Sequence, residues 1–485
     1  MPHPSPATAV VLLKTAALTL ALSACAAGPD FVRPDAPAPD RFAASALYAA
    51  EAAPAATDGA AFWRGFGDPQ LDALVDDALR ANHDLRIALA RLDRADALSR
   101  GAKFDRLPTI TADATASDGR QSVDRAAGGP RDYETYEGGA RLAWELDLFG
   151  RVRRGVEAQR AETEATRADL AAMQVAVVAD VIGTYAELRG QQERLRVAEA
   201  NAGLQRETLR LVEARLSAGS GTEFDTARAR AQLEATLARV PALQASVATA
   251  THRIAVLTGR TPDALVATLS TPQALPPLPA TLAADTPAEV LRRRPDIAAA
   301  EQRLHAATAR IGVASAELFP RLTLSGLLGV QSFDADALGD SGSGTRLVAL
   351  GIDWSFLDVG RVRARIAAAD ADARGALAGY EQTVLRALED AENALVRHAR
   401  SRQEDIHLAA AAGDSAEAAR LARLRYDAGA AGLLDVLDAE RTRLQAEDAL
   451  AEARTRSVVS AVAVYRATAG GWPERSPDRI PVAGR

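Results

Sequence analysis

The sequence contains an internal duplication with an offset of about 210 residues, and this feature constrains the fold more than any other. The clearest pair of matching segments is Trp-Glu-Leu-Asp-Leu-Phe-Gly-Arg-Val-Arg at 144–153 and Trp-Ser-Phe-Leu-Asp-Val-Gly-Arg-Val-Arg at 354–363. Three further landmarks recur in the same order, beginning at Asn82 and Arg294, at Arg215 and Arg425, and at Asp225 and Asp435. Four landmarks in one order predict two structurally equivalent halves.

Each copy is predicted to contain a helix, a pair of strands, a long helix, a turn and a last helix. The first helices run from about Pro69 to Phe104 and from about Thr286 to Leu318, and each ends before a proline. Alternating apolar and polar residues then predict strands at about 109–123 and 134–147, and at about 321–333 and 344–356. Four strands cannot close a barrel of useful diameter. Either the sheet is open and soluble, or several chains pool their strands.

The third segment of each copy is predicted to be an unusually long helix. Between Gly155 and Leu216 the sequence contains no proline, and about 60 helical residues would extend roughly 90 Å. Apolar residues recur every seven positions from Val181 to Leu216 and again from Leu233 to Ile254. This spacing is typical of coiled coils. Pro241 is expected to bend the second of these helices.

Cys25 is the only cysteine, so the chain cannot form an intramolecular disulfide. It follows an apolar stretch at 10–24 that is too short to span a bilayer but suits the core of a signal peptide. Leu22-Ser23-Ala24-Cys25 resembles the bacterial lipobox, which implies S-diacylglycerol and N-acyl groups on Cys25. The alternative is an ordinary signal peptide with an incidental cysteine. Ala26, directly after the cysteine, favours sorting to the outer membrane.

Composition and motif content argue against several classes of function. The net charge of −7 disfavours nucleic-acid binding. The six histidines show no metal-binding spacing, and neither a phosphate-binding loop nor a nucleophile elbow is present. The sequence therefore predicts neither an enzyme nor a metal or other cofactor.

Together these features resemble the outer-membrane factor family of TolC-like and OprM-like ducts, in particular its NodT-type lipoproteins. The segments that carry the resemblance lie in the expected order along almost the whole chain, at 22–25, 28–34, 62–71, 144–153, 291–297 and 464–472. The resemblance implies a homotrimer in which each chain contributes four strands to a twelve-stranded outer-membrane β-barrel. That barrel would be continuous with a twelve-helix α-barrel built from the long coiled-coil helices.

The resemblance also divides the chain into segments. They are a signal peptide at 1–24, a lipidated N-terminal and equatorial segment at 25–68, a first repeat at 69–259, an equatorial linker at 260–285, a second repeat at 286–469 and a C-terminal equatorial tail at 470–485.

The function implied by the resemblance is passive export from the periplasm through an outer-membrane channel of a tripartite efflux system. The implied partners are two further copies of the chain, a periplasmic adaptor, an inner-membrane transporter of the resistance-nodulation-division (RND) type and outer-membrane lipid. Two alternatives remain open at this stage: the outlet of a type I secretion system, and a periplasmic coiled-coil lipoprotein.

The resemblance places a closed aperture at the turns between the paired helices. Asp435 and Asp438 match the aspartates that line the aperture, Tyr426 matches a constricting tyrosine, and Asp225 matches a carboxylate that ties the closed state to an arginine. That arginine is replaced by Ala431, so a different lock is expected, with Arg215, Arg425 or Arg228 as its candidates.

A simpler interpretation is that Asp435 and Asp438 are helix N-terminal carboxylates favoured by the helix dipole. The glycines expected at the turns, where the adaptor would dock, are Gly219, Gly221, Gly429 and Gly432.

Overall fold

A computed structural model of the chain describes residues 26–35, 38–47, 59–126, 129–278, 286–468 and 477–479. Cys25 and the predicted signal peptide lie outside these residues, as do most of the predicted C-terminal tail and part of each predicted equatorial segment. The described chain forms two compact units: residues up to 35 with 92–167 and 299–381, and residues 36–91 with 168–298 and 382–485.

The two copies of the repeat have the same order of main elements. In the first copy these are α1 (Pro69–Ala81), α2 (His83–Phe104), β1 (Thr109–Arg120), α3 (Val123–Ala126), β2 (Asp132–Leu146), α4 (Arg151–Ser217), α5 (Glu223–Leu237), α6 (Arg239–Leu257) and α7 (Val266–Leu269). In the second they are α8 (Pro287–Arg293), α9 (Pro295–Ala316), β3 (Arg321–Ser332), β4 (Gly344–Asp353), α10 (Val359–Asp427) and α11 (Leu433–Thr468). Short 3₁₀ helices lie at Ala43–Leu47, Gly59–Phe66 and Asp336–Gly339.

The first helix of each copy is interrupted, whereas the sequence predicted one continuous helix. The breaks fall at Asn82 and Arg294, which are equivalent positions of the repeat. The Asn82 side chain accepts hydrogen bonds from the backbone N–H groups of Asp84 (2.9 Å) and Leu85 (3.1 Å) and so begins a new helix. In the second copy Pro295 starts the new helix, since the residue before a proline disfavours the helical conformation.

The bend expected near Pro241 is a break between α5 and α6 at Ala238. Proline clashes with the carbonyl four residues earlier, and that carbonyl belongs to Leu237, the last residue of α5.

The four strands form one antiparallel sheet in the order β1-β2-β3-β4, which leaves β1 and β4 as its edges. The register places even-numbered residues on one face and odd-numbered residues on the other. The even face is apolar over most of its area; its large aliphatic side chains and its tryptophan are Ile110, Leu142, Trp144, Leu146, Leu322, Leu324, Leu328, Val330, Val348, Leu350 and Ile352. The odd face carries most of the Thr, Ser, Gln and charged residues of the strands, including an ion pair between Asp113 and Arg141 at 2.8 Å.

Each repeat fixes its tryptophan in the same way. The indole N–H of Trp144 donates to the carbonyl of Arg106, and that of Trp354 donates to the carbonyl of Leu318, both at 3.0 Å. Both acceptors lie two residues before a proline, Pro108 or Pro320. The matching motifs of the two copies therefore make matching contacts where each strand pair meets its helices.

The second unit contains a large buried cluster, in which α1, α4, α6 and α11 pack together. Its polar centre is Arg189, which is fully buried, lies over the ring of Tyr185 at 4.8 Å and donates to the backbone carbonyl of Thr271 at 3.1 Å. Burial raises the pKa of Tyr185 to about 12, and the hydrogen bond to Asp68 at 2.6 Å acts in the same direction. This tyrosine therefore stays neutral at ordinary pH.

By length and composition alone, α4 could span a membrane. Half of its most apolar stretch, however, is buried within the protein. A core helix passes the same test, and the packing of α4 identifies it as one.

Candidate functional site at the two helix turns

The turns α4–α5 and α10–α11 have the same backbone geometry. Gly219 and Gly429 adopt φ values of +72° and +71°, the left-handed conformation that glycine tolerates best. After α4, Ser220 N–H donates to Arg215 O and Gly219 N–H donates to Leu216 O, both at 2.9 Å. After α10, Ala430 donates to Arg425 O at 2.7 Å and Gly429 donates to Tyr426 O at 2.9 Å. Both helices thus end in a Schellman motif.

The other two glycines of the turns differ from each other. A Cβ atom on Gly221 would lie 2.8 Å from the backbone nitrogen of Leu216, so the turn cannot accept a side chain there without shifting. At Gly432 the nearest atom would be 3.7 Å away, which is an ordinary contact. Only Gly221 of this pair is required by close packing.

Asp225 and Asp435 both lie in the first turn of the helix that follows their turn. Thr222 Oγ1 accepts from the N–H of Asp225 at 3.1 Å and its hydroxyl donates to the Asp225 carboxylate at 2.6 Å. Asp435 Oδ2 accepts from the N–H of Gly432 at 3.0 Å. Asp435 thus contacts the backbone at the N-terminus of its helix, and its side chain is also exposed.

Asp438 lies one turn further along α11. It pairs with Arg441 at 2.5 Å, and both side chains remain more than half exposed. A pair this exposed contributes little to stability, on the order of 0–1 kcal/mol. Stability therefore does not explain why a carboxylate occupies this position.

Tyr426 is buried, and its contact partner is Arg215 of the first repeat in the same chain. The guanidinium lies 4.4 Å from the centre of the tyrosine ring and also donates a hydrogen bond to its hydroxyl. Arg215, Arg425 and Arg228 were the candidates to replace the arginine that is absent at Ala431. Of these three, Arg215 is the one that joins the two turns. Its partner is Tyr426, whereas the contacts of the Asp225 carboxylate are with Thr222.

Two further contacts tie the first helix pair to the second near the turns. Gln232 Nε2 donates to the carbonyl of Leu437 at 3.2 Å, and Arg423 donates to Thr208 Oγ1 at 2.9 Å. Sequence reasoning missed Thr222 as a cap, although the Thr-x-x-Asp pattern is a recognisable sign of one. It could not find Gln232 or Arg423, because their partners are more than 200 residues away.

Within the described part of the chain, no cluster of three or more His, Cys, Asp and Glu side chains has the arrangement of a metal site. The candidate site is therefore an assembly of backbone turns, three carboxylates and one Arg–Tyr contact.

Comparison with protein families and curated sequences gives consistent results. The family model described as "Outer membrane efflux protein" matches residues 74–260 and 286–470. Outer membrane protein OprJ of Pseudomonas aeruginosa is 34% identical over 468 residues, which cover 94% of this chain and 95% of OprJ. Nodulation protein T of Rhizobium leguminosarum bv. trifolii is 32% identical, covering 90% of this chain and 92% of that protein.

Solved structures show the same similarity. The outer-membrane channel OprN superposes with a TM-score of 0.87 at 42% identity, covering 93% of this chain and 100% of that chain. The open state of the MtrE outer membrane channel of Neisseria gonorrhoeae gives 0.81 at 29% identity, covering 93% and 99%. The two matched segments of the family model correspond to the two copies of the duplication.

Proposed function

Because this chain belongs to the outer membrane efflux protein family, we propose that it is the exit duct of a tripartite efflux system driven by an RND-type transporter. The predictions of a TolC-like fold, an outer-membrane location and an efflux function are confirmed by the family and structural matches. The observation that supports a membrane-spanning duct is the sheet. One of its faces is apolar, the other is polar, and both of its edges are open.

A sheet of this kind fits a membrane only as part of a closed barrel, since an open edge in lipid leaves backbone groups without hydrogen bonds. Three copies would supply twelve strands, with β4 of one copy paired with β1 of the next. The apolar even face would contact lipid and the odd face, with Asp113 and Arg141, would line the channel. A homotrimer is the assembly that we propose.

We assign the gate of this duct to the helix turns. Three copies of Asp435 and Asp438 around one axis would form two negative rings, which attract cations and repel anions. Tyr426 and Arg215 would hold the turns of the two repeats together in the closed state, and Asp225 would keep the first turn in shape through Thr222.

Asparagine variants test the gate without breaking the caps. Asp435→Asn keeps an oxygen for the Gly432 N–H, and Asp438→Asn keeps the size of the side chain. In planar bilayers the double variant should lower the cation-to-anion permeability ratio by roughly fivefold, the factor equivalent to about 1 kcal/mol of charge interaction. We also expect a higher single-channel conductance, because cations are no longer held at the carboxylate rings as they pass.

The matched control is Glu417→Gln. Glu417 is an exposed residue of α10, ten residues before the end of that helix, and its carboxylate pairs with Arg420 at 2.6 Å. This variant should keep the permeability ratio of the wild type. Unchanged selectivity in the Asp435 and Asp438 double variant would remove these residues from the gate.

The proposed partners are a periplasmic adaptor that docks at the turns around Gly219, Gly221, Gly429 and Gly432, and an inner-membrane transporter that supplies the energy. The protein itself would do no chemistry and need no cofactor beyond lipid on Cys25. A deletion strain should become more susceptible to exported small molecules. Retention of a secreted protein with unchanged drug susceptibility would favour the type I secretion outlet instead.

A further inference from the structure

Arg346 is out of place on the apolar face of the sheet. It lies on β4 in line with Val348, Leu350 and Ile352, and its partner in register on β3 is Leu328. These neighbours are strongly exposed; Val348 is 81% and Leu328 72% accessible. Arg346 is exposed as well, and the described residues provide no ion pair to it. An arginine on a lipid-facing surface costs about 2–4 kcal/mol at the middle of a bilayer and about 0–1 kcal/mol near its boundary, so its depth decides its role.

The spacing of residues along β4 gives the depth of Arg346 in the membrane. Arg346 precedes the apolar row of β4 at one end, and Trp354 follows it at the other, eight residues later and just after the strand. Eight residues of strand span roughly 27 Å, or about 20 Å along the normal of a membrane at the usual tilt. This is close to the apolar band of about 25 Å seen in outer-membrane barrels. Arg346 thus lies at the boundary opposite to the helices.

The equivalent residue of the first copy supports this depth. Tyr136 lies eight residues before Trp144 on the same face, as Arg346 does before Trp354. Tyrosine is enriched at the headgroup level of membranes, and the hydroxyl of Tyr136 donates to the carboxylate of Glu134 at 2.7 Å. The second copy has a guanidinium where the first has a phenol.

We propose that Arg346 binds the phosphate group of a lipid in the outer leaflet of the membrane. A guanidinium offers paired N–H donors that match two phosphate oxygens. Its long stem can lie along Val348 and Leu328 while the charged group extends to the headgroup level. This inference rests on the proposed function, because it requires the even face of the sheet to contact lipid. It adds a binding site for phosphorylated lipid that is separate from Cys25 and from the helix turns.

The test uses the full-length trimer in nanodiscs of phosphatidylcholine with either bisphosphorylated lipid A or the same lipid A after enzymatic removal of its phosphates. Native mass spectrometry measures the lipid that stays bound, and heating measures the temperature at which trimers dissociate. The wild type should retain the phosphorylated form and gain stability from it. Arg346→Gln should retain about tenfold less, as expected for loss of a charge-assisted hydrogen bond, and Arg346→Lys should fall between the two.

The matched control is Arg363→Gln, an exposed arginine near the start of α10 and off the sheet; it should behave as the wild type. Three outcomes would overturn the proposal. Arg346→Gln could retain as much lipid as the wild type; it could lose stability equally in both lipids, which would indicate a contact between copies of the chain; or inorganic phosphate in solution could give the same protection, which would indicate a free-anion site.

Single-channel conductance of the same preparations separates this inference from the proposed function. Wild-type trimers that conduct but show no preference for phosphorylated lipid would overturn the lipid site alone. Wild-type trimers that do not conduct would contradict the duct.

Discussion

At the scale of single residues, the contact between Arg215 and Tyr426 is the feature that joins the two repeats at their turns. Arg215 is equivalent to Arg425, so one copy contributes the cation and the other the adjacent aromatic ring. A cation–π contact contributes about 0.5–2 kcal/mol, and more when it is shielded from water. The buried ring of Tyr426 places this contact in the stronger part of that range.

Arg215→Ala should therefore raise the single-channel conductance in planar bilayers, because the two turns lose their direct link and the closed state is destabilised. Tyr426→Phe should have a smaller effect, since it removes the hydroxyl acceptor and keeps the ring. Arg210→Ala, on the same helix and exposed, is the control. A trimeric Arg215→Ala channel with wild-type conductance would contradict the role of this pair.

The two turn glycines provide a matched pair for stability. Gly221→Ala should lower the dissociation temperature of the trimer, with a cost of about 1–3 kcal/mol from the clash with the backbone of Leu216. Gly432→Ala has room for its methyl group, so it should be neutral or stabilise by a few tenths of a kcal/mol. Equal effects of the two substitutions would show that backbone freedom, and not packing, selects glycine at these positions.

At the scale of elements, charged side chains shared between helices hold the helices together. Asp448 of α11 accepts two hydrogen bonds from Arg194 of α4, at 2.8 and 3.2 Å, and a further one from Arg239 at the start of α6. Burial tends to raise the pKa of this carboxyl, but the two arginines outweigh it and hold the pKa below its usual value. One carboxylate thereby joins three helices.

Asp448→Asn should destabilise the trimer by roughly 1–3 kcal/mol, because the partly buried Arg194 and Arg239 lose the carboxylate that they share. The carboxylate has a depressed pKa in the folded state, so its contribution is complete above the unfolded pKa of about 3.9 and is lost as the pH falls through the lower folded value. Dissociation temperatures of wild type and variant should therefore differ by a constant amount from pH 5 to pH 8 and converge only below about pH 4.

The control for this prediction is Asp370→Asn. Asp370 pairs with Arg374 on an exposed helix surface at 2.6 Å, and such pairs contribute about 0–1 kcal/mol. A comparable loss in both variants would mean that the interhelical position of Asp448 has no special importance.

At the scale of the whole molecule, duplication determines what one chain can and cannot build alone. Each copy supplies two strands and one helix of exceptional length, 67 residues in α4 and 69 in α10. The helices can bury apolar residues within the chain, as the cluster around α4 does. The sheet cannot do so, because both of its faces and both of its edges are open in a single chain.

This difference gives a prediction for the predicted lipid anchor. Cys25→Ala should lower the yield of trimers without abolishing export, because the completed barrel would hold the protein in the membrane and the lipid would serve sorting and assembly. Cys25→Ser should behave in the same way, since neither side chain provides the thiol. Complete loss of both variants from the membrane fraction would show that the sheet does not span the membrane.

The sequence by itself determined the features that depend on local rules. The repeat, the four strands, the long helices and the glycine turns follow from period, from proline and glycine, and from similarity between the copies. Alternation of apolar and polar residues was sufficient to predict the strands, because side chains of a strand point to opposite sides at every step.

Only the tertiary structure decided the features that depend on residues far apart in the chain. Helix periodicity continues through Asn82, and besides capping the next helix locally Asn82 donates to the carbonyl of Leu257 at 2.9 Å, a contact across 175 residues. Likewise no local pattern could show that Arg215 contacts Tyr426, which is 211 residues away. Such contacts are selected by how the helices pack, and local preferences are too weak to specify them.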